Sequence, residues 1–462
     1  MTKSNATSKL LFITWLLTIV LLIMLLSFTM GAAVFRHITL GDEKIPKVIQ
    51  PAVKKLAELP SLIKQAAVEL RDAITGKPST LLIPKDKVMQ ADWIHKFPVP
   101  DDDGYLLLSS LSAQENQSIV QLISIADGEV IAKWIPDWSY IIRHTSEHRF
   151  TPKLSPKSYR AIHPLLLSDG SIVFNTYGSL VRQPLCSSEP SWILDYPYHH
   201  SVELSPAGNS IWVPSVTELF TTENPSLKKR LRDDSLSEVS LDGQVLQNLS
   251  FSKILTENQM TAHMLGSTGD VFNFDPLHIN QITPALSNGP YWNRGDLLIS
   301  ARHTSTIYLY RPTTGKIIWH QQGPWLNQHS AHFFNDHEIA VFGNDVYGAK
   351  LPSPFMNKEG YNEIYTYNFK TTQTSKLQSE ALNKAKPTSI TEGRLRVLKD
   401  KSIFIEETNH GRLLKLNPSG KLMWSYINTY DKDHLGLVSW SRYLTREEFH
   451  ASINISSMKC NK

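Results

Sequence analysis

Residues His200–Val213 read HSVELSPAGNSIWV. A histidine opens an alternating apolar stretch, a Pro-Ala-Gly-Asn turn follows, and a second apolar stretch closes the phrase, which is the pattern of a β-hairpin. The phrase returns at His329–Phe342 as HSAHFFNDHEIAVF and at His163–Phe174 as HPLLLSDGSIVF. It returns with a longer loop at His278–Ser300, HINQITPALSNGPYWNRGDLLIS. Hairpins that repeat with one side chain at their mouth predict a radial architecture, because each sheet alone cannot bury both of its faces. In such a ring the innermost strands line a central channel, and the four opening imidazoles are expected to converge on it.

Working outward, six hairpin-rich units can be delimited. They run from Gly104 to Trp134, from His163 to Leu194, and from His200 to Leu249. Three more run from His278 to Trp319, from His329 to Leu377, and from Gly393 to Tyr426. Most contain Asp-Gly, Asn-Gly or Ser-Gly turns, and four end near a tryptophan or tyrosine. The expected fold is all-β, a six-bladed β-propeller over residues 90–462; a sandwich or two separate sheets is the alternative.

Two further segments are expected before it. Leu10 to Phe35 carries no charged residue, a run long enough to cross a bilayer, so residues 1–36 are read as an N-terminal transmembrane helix that serves as an anchor. Small residues at Gly31–Ala33 leave a cleaved leader as the other reading, and flanking lysines and arginines on both sides do not settle orientation. Residues 37–89 are read as a helical spacer broken at Pro60, with Ile63, Ala67, Leu70 and Ile74 on one face. That face suits the domain surface, a membrane surface or self-association.

Acids and bases nearly balance at a formal charge of +4, which argues against nucleic-acid binding by bulk electrostatics. The basic run SLKKRLRDD at Ser226–Asp234 reads as a solvated loop. Cys186 and Cys460 make no metal pair, and whether they join is left open. Neither a G-x-S-x-G elbow nor a P-loop is present, which removes serine-hydrolase and nucleotide chemistry.

The segments DPLHINQI (275–282), GDLLISARHTSTIYLYRPTTGKIIWHQQGPW (295–325) and QHSAHFFNDHEIAVF (328–342) resemble bacterial arylsulfate sulfotransferases. HHSVELSPAGNSIWV (199–213) and the closing WSRYLTREEF (440–449) are similar to that family too, and the resemblance spans about residues 95–445. It implies a six-bladed propeller, periplasmic or membrane-anchored, that moves a sulfuryl group from an aryl sulfate to a phenolic or other hydroxyl acceptor without a phosphoadenosine donor. It implies His329 as a transiently sulfurylated nucleophile, with His200 (or its neighbour His199), His278, Asn280 and Arg302 around the sulfuryl group. His163 and Arg394 are added as substrate contacts, Arg394 either as an anion ligand or as a structural residue.

The residue types suit that chemistry. Sulfuryl transfer needs positioning and stabilisation of three equatorial oxygens, as phosphoryl transfer does. Imidazole is a competent nucleophile near neutral pH, and a two-step transfer permits ping-pong exchange. Arg302 offers a fork of donors matched to an oxyanion. Asn280 stands two residues after His278, which on a strand puts both on one face. No cofactor or metal is expected, since Arg302 would repel a cation. The sequence departs from the family at Gln281, where a serine usually stands, and it has an anchor and spacer in place of an N-terminal β-sandwich, so oligomeric state is left open. A catalytically silent, envelope-anchored propeller that binds a sulfated ligand or a partner protein is the competing reading, and a metal-binding or quinoprotein-like propeller is a third.

Overall fold

The structure is a computed structural model and describes residues 18–19, 63, 66–91, 93–146, 156–217, 231–266, 274–347, 355–356 and 360–453. The anchor expected over 1–36 lies outside them except for residues 18 and 19. No helix among the described residues is long and apolar enough to cross a membrane. Within the expected spacer, residues 66–75 are helical, and Leu70 and Ile74 are exposed. Residues 77–462 form a separate compact unit.

That unit contains six four-stranded antiparallel sheets, the blades of the propeller. Blade two comprises Ile162–Leu166, Ile172–Asn175, Leu180–Gln183 and Trp192–Leu194; blade three comprises Glu203–Leu204, Ser210–Thr217, Asp233–Ser240 and Val245–Ser250. Blade four is built from Ile279–Pro284, Leu297–Ala301, Thr306–Arg311 and Lys316–Gln322. Blade five is built from His329–Phe333, Glu338–Gly343, Glu363–Asn368 and Gln373–Lys376. Arg394–Val397, Ile403–Glu407, Arg412–Leu416 and Leu422–Ile427 make blade six. The strand Leu82–Pro84 pairs with His434–Gly436 beside this ring.

Side chains alternate across each strand, and in the middle strands both faces are apolar because each blade is covered on both sides. Leu107 packs toward blade two, while Leu106 and Leu108 pack toward blade six. Ile172 and Phe174 face blade one, and Val173 between them faces blade three. Ile299 joins the seam with blade three, and its neighbour Leu298 joins the seam with blade five. Ala340 and Phe342 face blade six, and Val341 faces blade four. A separate apolar cluster therefore fills each of the six seams, the one between blades six and one included.

Blade one differs from the unit expected between Gly104 and Trp134. That segment supplies three strands, Tyr105–Ser112, Gln117–Ser124 and Val130–Trp134, and the innermost strand is Arg442–Leu444 from the other end of the chain. Tyr105, Leu106 and Leu107 pair with Leu444, Tyr443 and Arg442. A buried polar knot fastens this closure. Asp102 accepts from Lys415 Nζ at 2.8 Å, Trp424 Nε1 at 2.8 Å and Tyr443 Oη at 2.9 Å.

One residue with left-handed backbone stands where each innermost strand begins. These are His163 (φ 57°), His200 (58°), His278 (54°), Ser330 (57°), Gly393 (125°) and Trp440 (55°). Five of the six carry a side chain, although that conformation costs roughly 1 kcal/mol or more outside glycine. The repeat is thus a backbone feature of the whole ring. It also corrects the expectation that all four histidines share one position: His329 precedes the left-handed residue of its blade, whereas the other three occupy it.

Candidate active site

Blades three, four and five bring three of the four opening histidines together. The ring of His200 lies 5.0 Å from that of His278 and 6.3 Å from that of His329, centroid to centroid. His200 and His329 are buried, and His278 is partly exposed. The question left between His199 and His200 has a clear answer. His200 faces the other histidines, with Tyr177 edge-on at 5.3 Å and Trp440 at 6.1 Å. His199 turns to Arg232 and Asp234, with its Nε2 2.8 Å from the Arg232 guanidinium.

Each imidazole is held by one ring nitrogen. His329 Nδ1 lies 2.7 Å from Asn344 Oδ1, while its Nε2 is buried without a partner. His278 Nδ1 lies 2.6 Å from the Asp275 carboxylate, and its ring stacks on His303 at 4.5 Å. His200 Nδ1 lies 2.9 Å from His199 Nδ1. Burial holds His200 and His329 well below the usual imidazole range, reinforced for His329 by the Arg302 charge and for His200 by the neighbouring His278. Burial also pushes His278 down to about 4, although the Asp275 carboxylate opposes it. The cluster is therefore neutral at pH 7, with nitrogen lone pairs available.

Arg302 stands at the end of blade four's second strand, where its backbone N–H donates to His278 O. Its guanidinium Nε is buried without a partner, and among the described residues no carboxylate pairs with it. This contrasts with the other buried arginines. Arg232 is held by Asp234 and Asp275, Arg412 by Glu407, and Arg442 by Glu203. The charge of Arg302 acts on His329 more strongly than that of any other group. A buried cation with open donors beside a bare imidazole nitrogen is an anion site.

Asn280 is buried next to this group, and its amide donates to Gln328 O at 2.7 Å, the residue before His329. Its Oδ1 is left without a partner. Gln281, on the opposite face of the strand, bonds Thr283 and Glu203 instead.

His163 and Arg394 lie in a different cluster. Arg394 Nη1 and Arg442 Nη2 each reach His163 at 3.0 Å, and Glu203 pairs with both arginines, at 3.2 and 2.9 Å. Trp440, 6.2 Å from His163 and 6.1 Å from His200, stands between the two groups. The four opening histidines therefore divide three to one, and Arg394 has partners of its own.

Sequence reasoning missed Asp275, Asn344, Arg232 and Tyr177. Asp275 opens the quoted DPLH, and its spacing of three from His278 is the one signal that pointed to it. Asn344 and Arg232 reach the site from loops whose conformation no local pattern encodes. Asp275, His278 and His303 also bring possible metal-ligand atoms within 4.8 Å of one another. Arg232 stands 3.6 Å from the same carboxylate, however, and a cation there would face that charge and that of Arg302. Cys186 is disulfide-bonded, and Cys460 lies outside the described residues.

Comparison with known proteins adds a sequence family. A family model for arylsulfotransferase (ASST) matches residues 163–429, more than half of the chain and a span that holds His200, His278, Arg302 and His329. No curated protein matches. Among solved structures, a protein of unknown function from Bacteroides caccae aligns at 13% identity with a TM-score of 0.46, covering 74% of this chain and 99% of its own. Virginiamycin B lyase from Staphylococcus aureus, an inactive variant with quinupristin, aligns at 10% identity and a TM-score of 0.36, covering 72% and 87%.

Proposed function

The chain belongs to the arylsulfotransferase family, and on that premise we propose that it moves a sulfuryl group from an aryl sulfate ester to a phenolic or other hydroxyl acceptor through a sulfohistidine at His329. The observation that carries this reading is the juxtaposition of Arg302, buried without a counter-ion, and His329, whose Nε2 is buried without a partner.

In the first step the His329 Nε2 lone pair attacks sulfur. The nitrogen–sulfur bond forms, the bond from sulfur to the aryl oxygen breaks, and phenolate departs. Arg302 and the His200 imidazole face the equatorial oxygens, whose charge they stabilise from buried positions. In the second step an acceptor hydroxyl attacks the same sulfur and the nitrogen–sulfur bond breaks. His278 takes the acceptor's proton, and the Asp275 carboxylate at 2.6 Å stabilises the imidazolium that results. The same proton goes to the next departing phenolate. No phosphoadenosine donor, metal or cofactor enters the scheme.

The proposal extends to place. The uncharged run from Leu10 to Phe35 anchors the chain in a membrane, and the propeller works outside the cytoplasm, where the disulfide at Cys186 would persist.

The test is incubation with 4-nitrophenyl sulfate and a phenol, with mass spectrometry of the peptide that bears His329. Nitrophenol release and a sulfuryl adduct on that peptide are expected, both lost in His329→Asn while the protein stays folded. Folded wild-type protein that releases no nitrophenol with several acceptors would leave the propeller as a binding module for sulfated ligands.

A further inference from the structure

The two imidazoles that face each other, His329 and His200, are held by separate networks, and those networks demand opposite protonation of the rings. We infer that Asn344 and Arg232 are positioning residues that hold His329 with its proton on Nδ1 and His200 with its proton on Nε2 before any substrate arrives. The inference deepens the sulfuryl-transfer reading and gives each ring its part: a lone pair on His329 to attack sulfur, an N–H on His200 to meet a sulfuryl oxygen.

The first network begins at Asn344, which follows blade five's second strand. Its Nδ2 donates to Ser389 O at 2.8 Å and to Glu392 O at 2.7 Å. Both amide hydrogens are thus committed to carbonyls, and a flipped amide would set its oxygen against two other oxygens. Asn344 Oδ1 is therefore the acceptor that meets His329 Nδ1 at 2.7 Å. The ring must donate from Nδ1, which strips the proton from Nε2 in a neutral imidazole. The backbone carbonyl of Asn344 is itself fixed, since it accepts from Asn362 Nδ2 at 2.7 Å.

The second network runs through His199. Arg232 Nη2, which can only donate, lies 2.8 Å from His199 Nε2. That nitrogen must therefore offer its lone pair, and the His199 proton sits on Nδ1. His199 Nδ1 then donates across 2.9 Å to His200 Nδ1, which leaves the His200 proton on Nε2. Asp234 Oδ1 competes for His199 Nε2 from 3.4 Å. A proton placed there, however, would oppose the arginine N–H at the shorter distance, and Asp234 already receives Arg232 Nε at 3.0 Å and Ile279 N at 2.7 Å.

Nitrogen-15 NMR of histidine-labelled, substrate-free protein at pH 7 reads the tautomers directly, with signals assigned by their loss in His329→Gln and His200→Gln. The expected spectrum has His329 bare at Nε2 and His200 bare at Nδ1. Asn344→Ala should turn His329 into a mixture and lower kcat about 100-fold with KM nearly unchanged, as misplaced tautomers do in other imidazole catalysts. Asn344→Asp keeps an acceptor toward His329, so it should keep the His329 tautomer and recover part of kcat, at a loss of stability because its second oxygen meets the Ser389 and Glu392 carbonyls. Its carboxylate should move the acidic limb of the pH profile upward. Arg232→Leu should release the His200 tautomer alone. Like tautomers on the two rings of the wild type, or an Asn344→Ala protein that loses activity with its tautomers intact, would overturn the inference. The wild-type spectrum decides even where a variant does not fold. Opposite tautomers in a protein that transfers no sulfuryl group would uphold this arrangement and remove the reaction it is assigned to.

Discussion

An arginine taken out of water without a counter-ion lowers stability by several kcal/mol, and Arg302 is held in that state by the packing around blade four. The cost is recovered only when an anion arrives. Arg302→Met should therefore raise thermal stability, by about 1–4 kcal/mol, while lowering kcat/KM for an aryl sulfate about 100-fold or more. Added sulfate should raise the Tm of the wild type and leave that of the variant unchanged. A variant both less stable and fully active would contradict this account. At this scale the sequence disclosed His200, His278 and His329, because blade openings can be counted along the chain, whereas Arg302 came only through the family resemblance. It could not disclose that Arg302 lacks a partner, or that Asn344 and Asp275 supply one to His329 and His278, because those pairings depend on where loops end in space.

Among elements, the closing strand Arg442–Leu444 decides whether the ring exists, since it completes blade one and carries Tyr443 into the knot around Asp102. Lys415 and Asp102 are both buried at this seam, the carboxylate only 3% exposed. Burial works to protonate Asp102, and the Lys415 ammonium nevertheless holds it below the usual carboxylate range. Lys415→Met should cost about 3–5 kcal/mol by leaving that carboxylate buried and unpaired, seen as a lower denaturation midpoint. Adding Asp102→Asn to it should return part of the loss. The hairpins of blades two to six were readable from their alternation and turns. Blade one was not, because its fourth strand is some 300 residues away in sequence and carries only three paired residues of its own.

At the scale of the whole molecule, nine histidines among the described residues are depressed below the imidazole range, with burial the leading cause. They stay neutral in the folded chain and gain protons on unfolding below about pH 6.5, so the unfolded state binds more protons there and stability falls as pH falls. His278 marks the lower end of its window at about 4. Asp233 and Asp345, raised to about 6 by burial, act in the opposite sense between about 4 and 6 but are fewer. The Tm should therefore drop steadily from pH 7 to pH 5, and His163→Gln should flatten the slope. A Tm that holds or rises over that interval would show that these rings are charged in the native state.

The sequence alone determined the number of blades, the boundaries of five of them and the histidines at their mouths, because strand alternation and turn chemistry are local and repeat at regular spacing. Tertiary structure alone decided which histidines meet, since the three that converge and the one that pairs with Arg394 and Arg442 carry the same phrase. The ring sorts them by blade position and by a one-residue shift at His329, and neither leaves a mark in the local pattern. It also decided the protonation of each imidazole, because a tautomer belongs to the partner across the gap rather than to the residue itself.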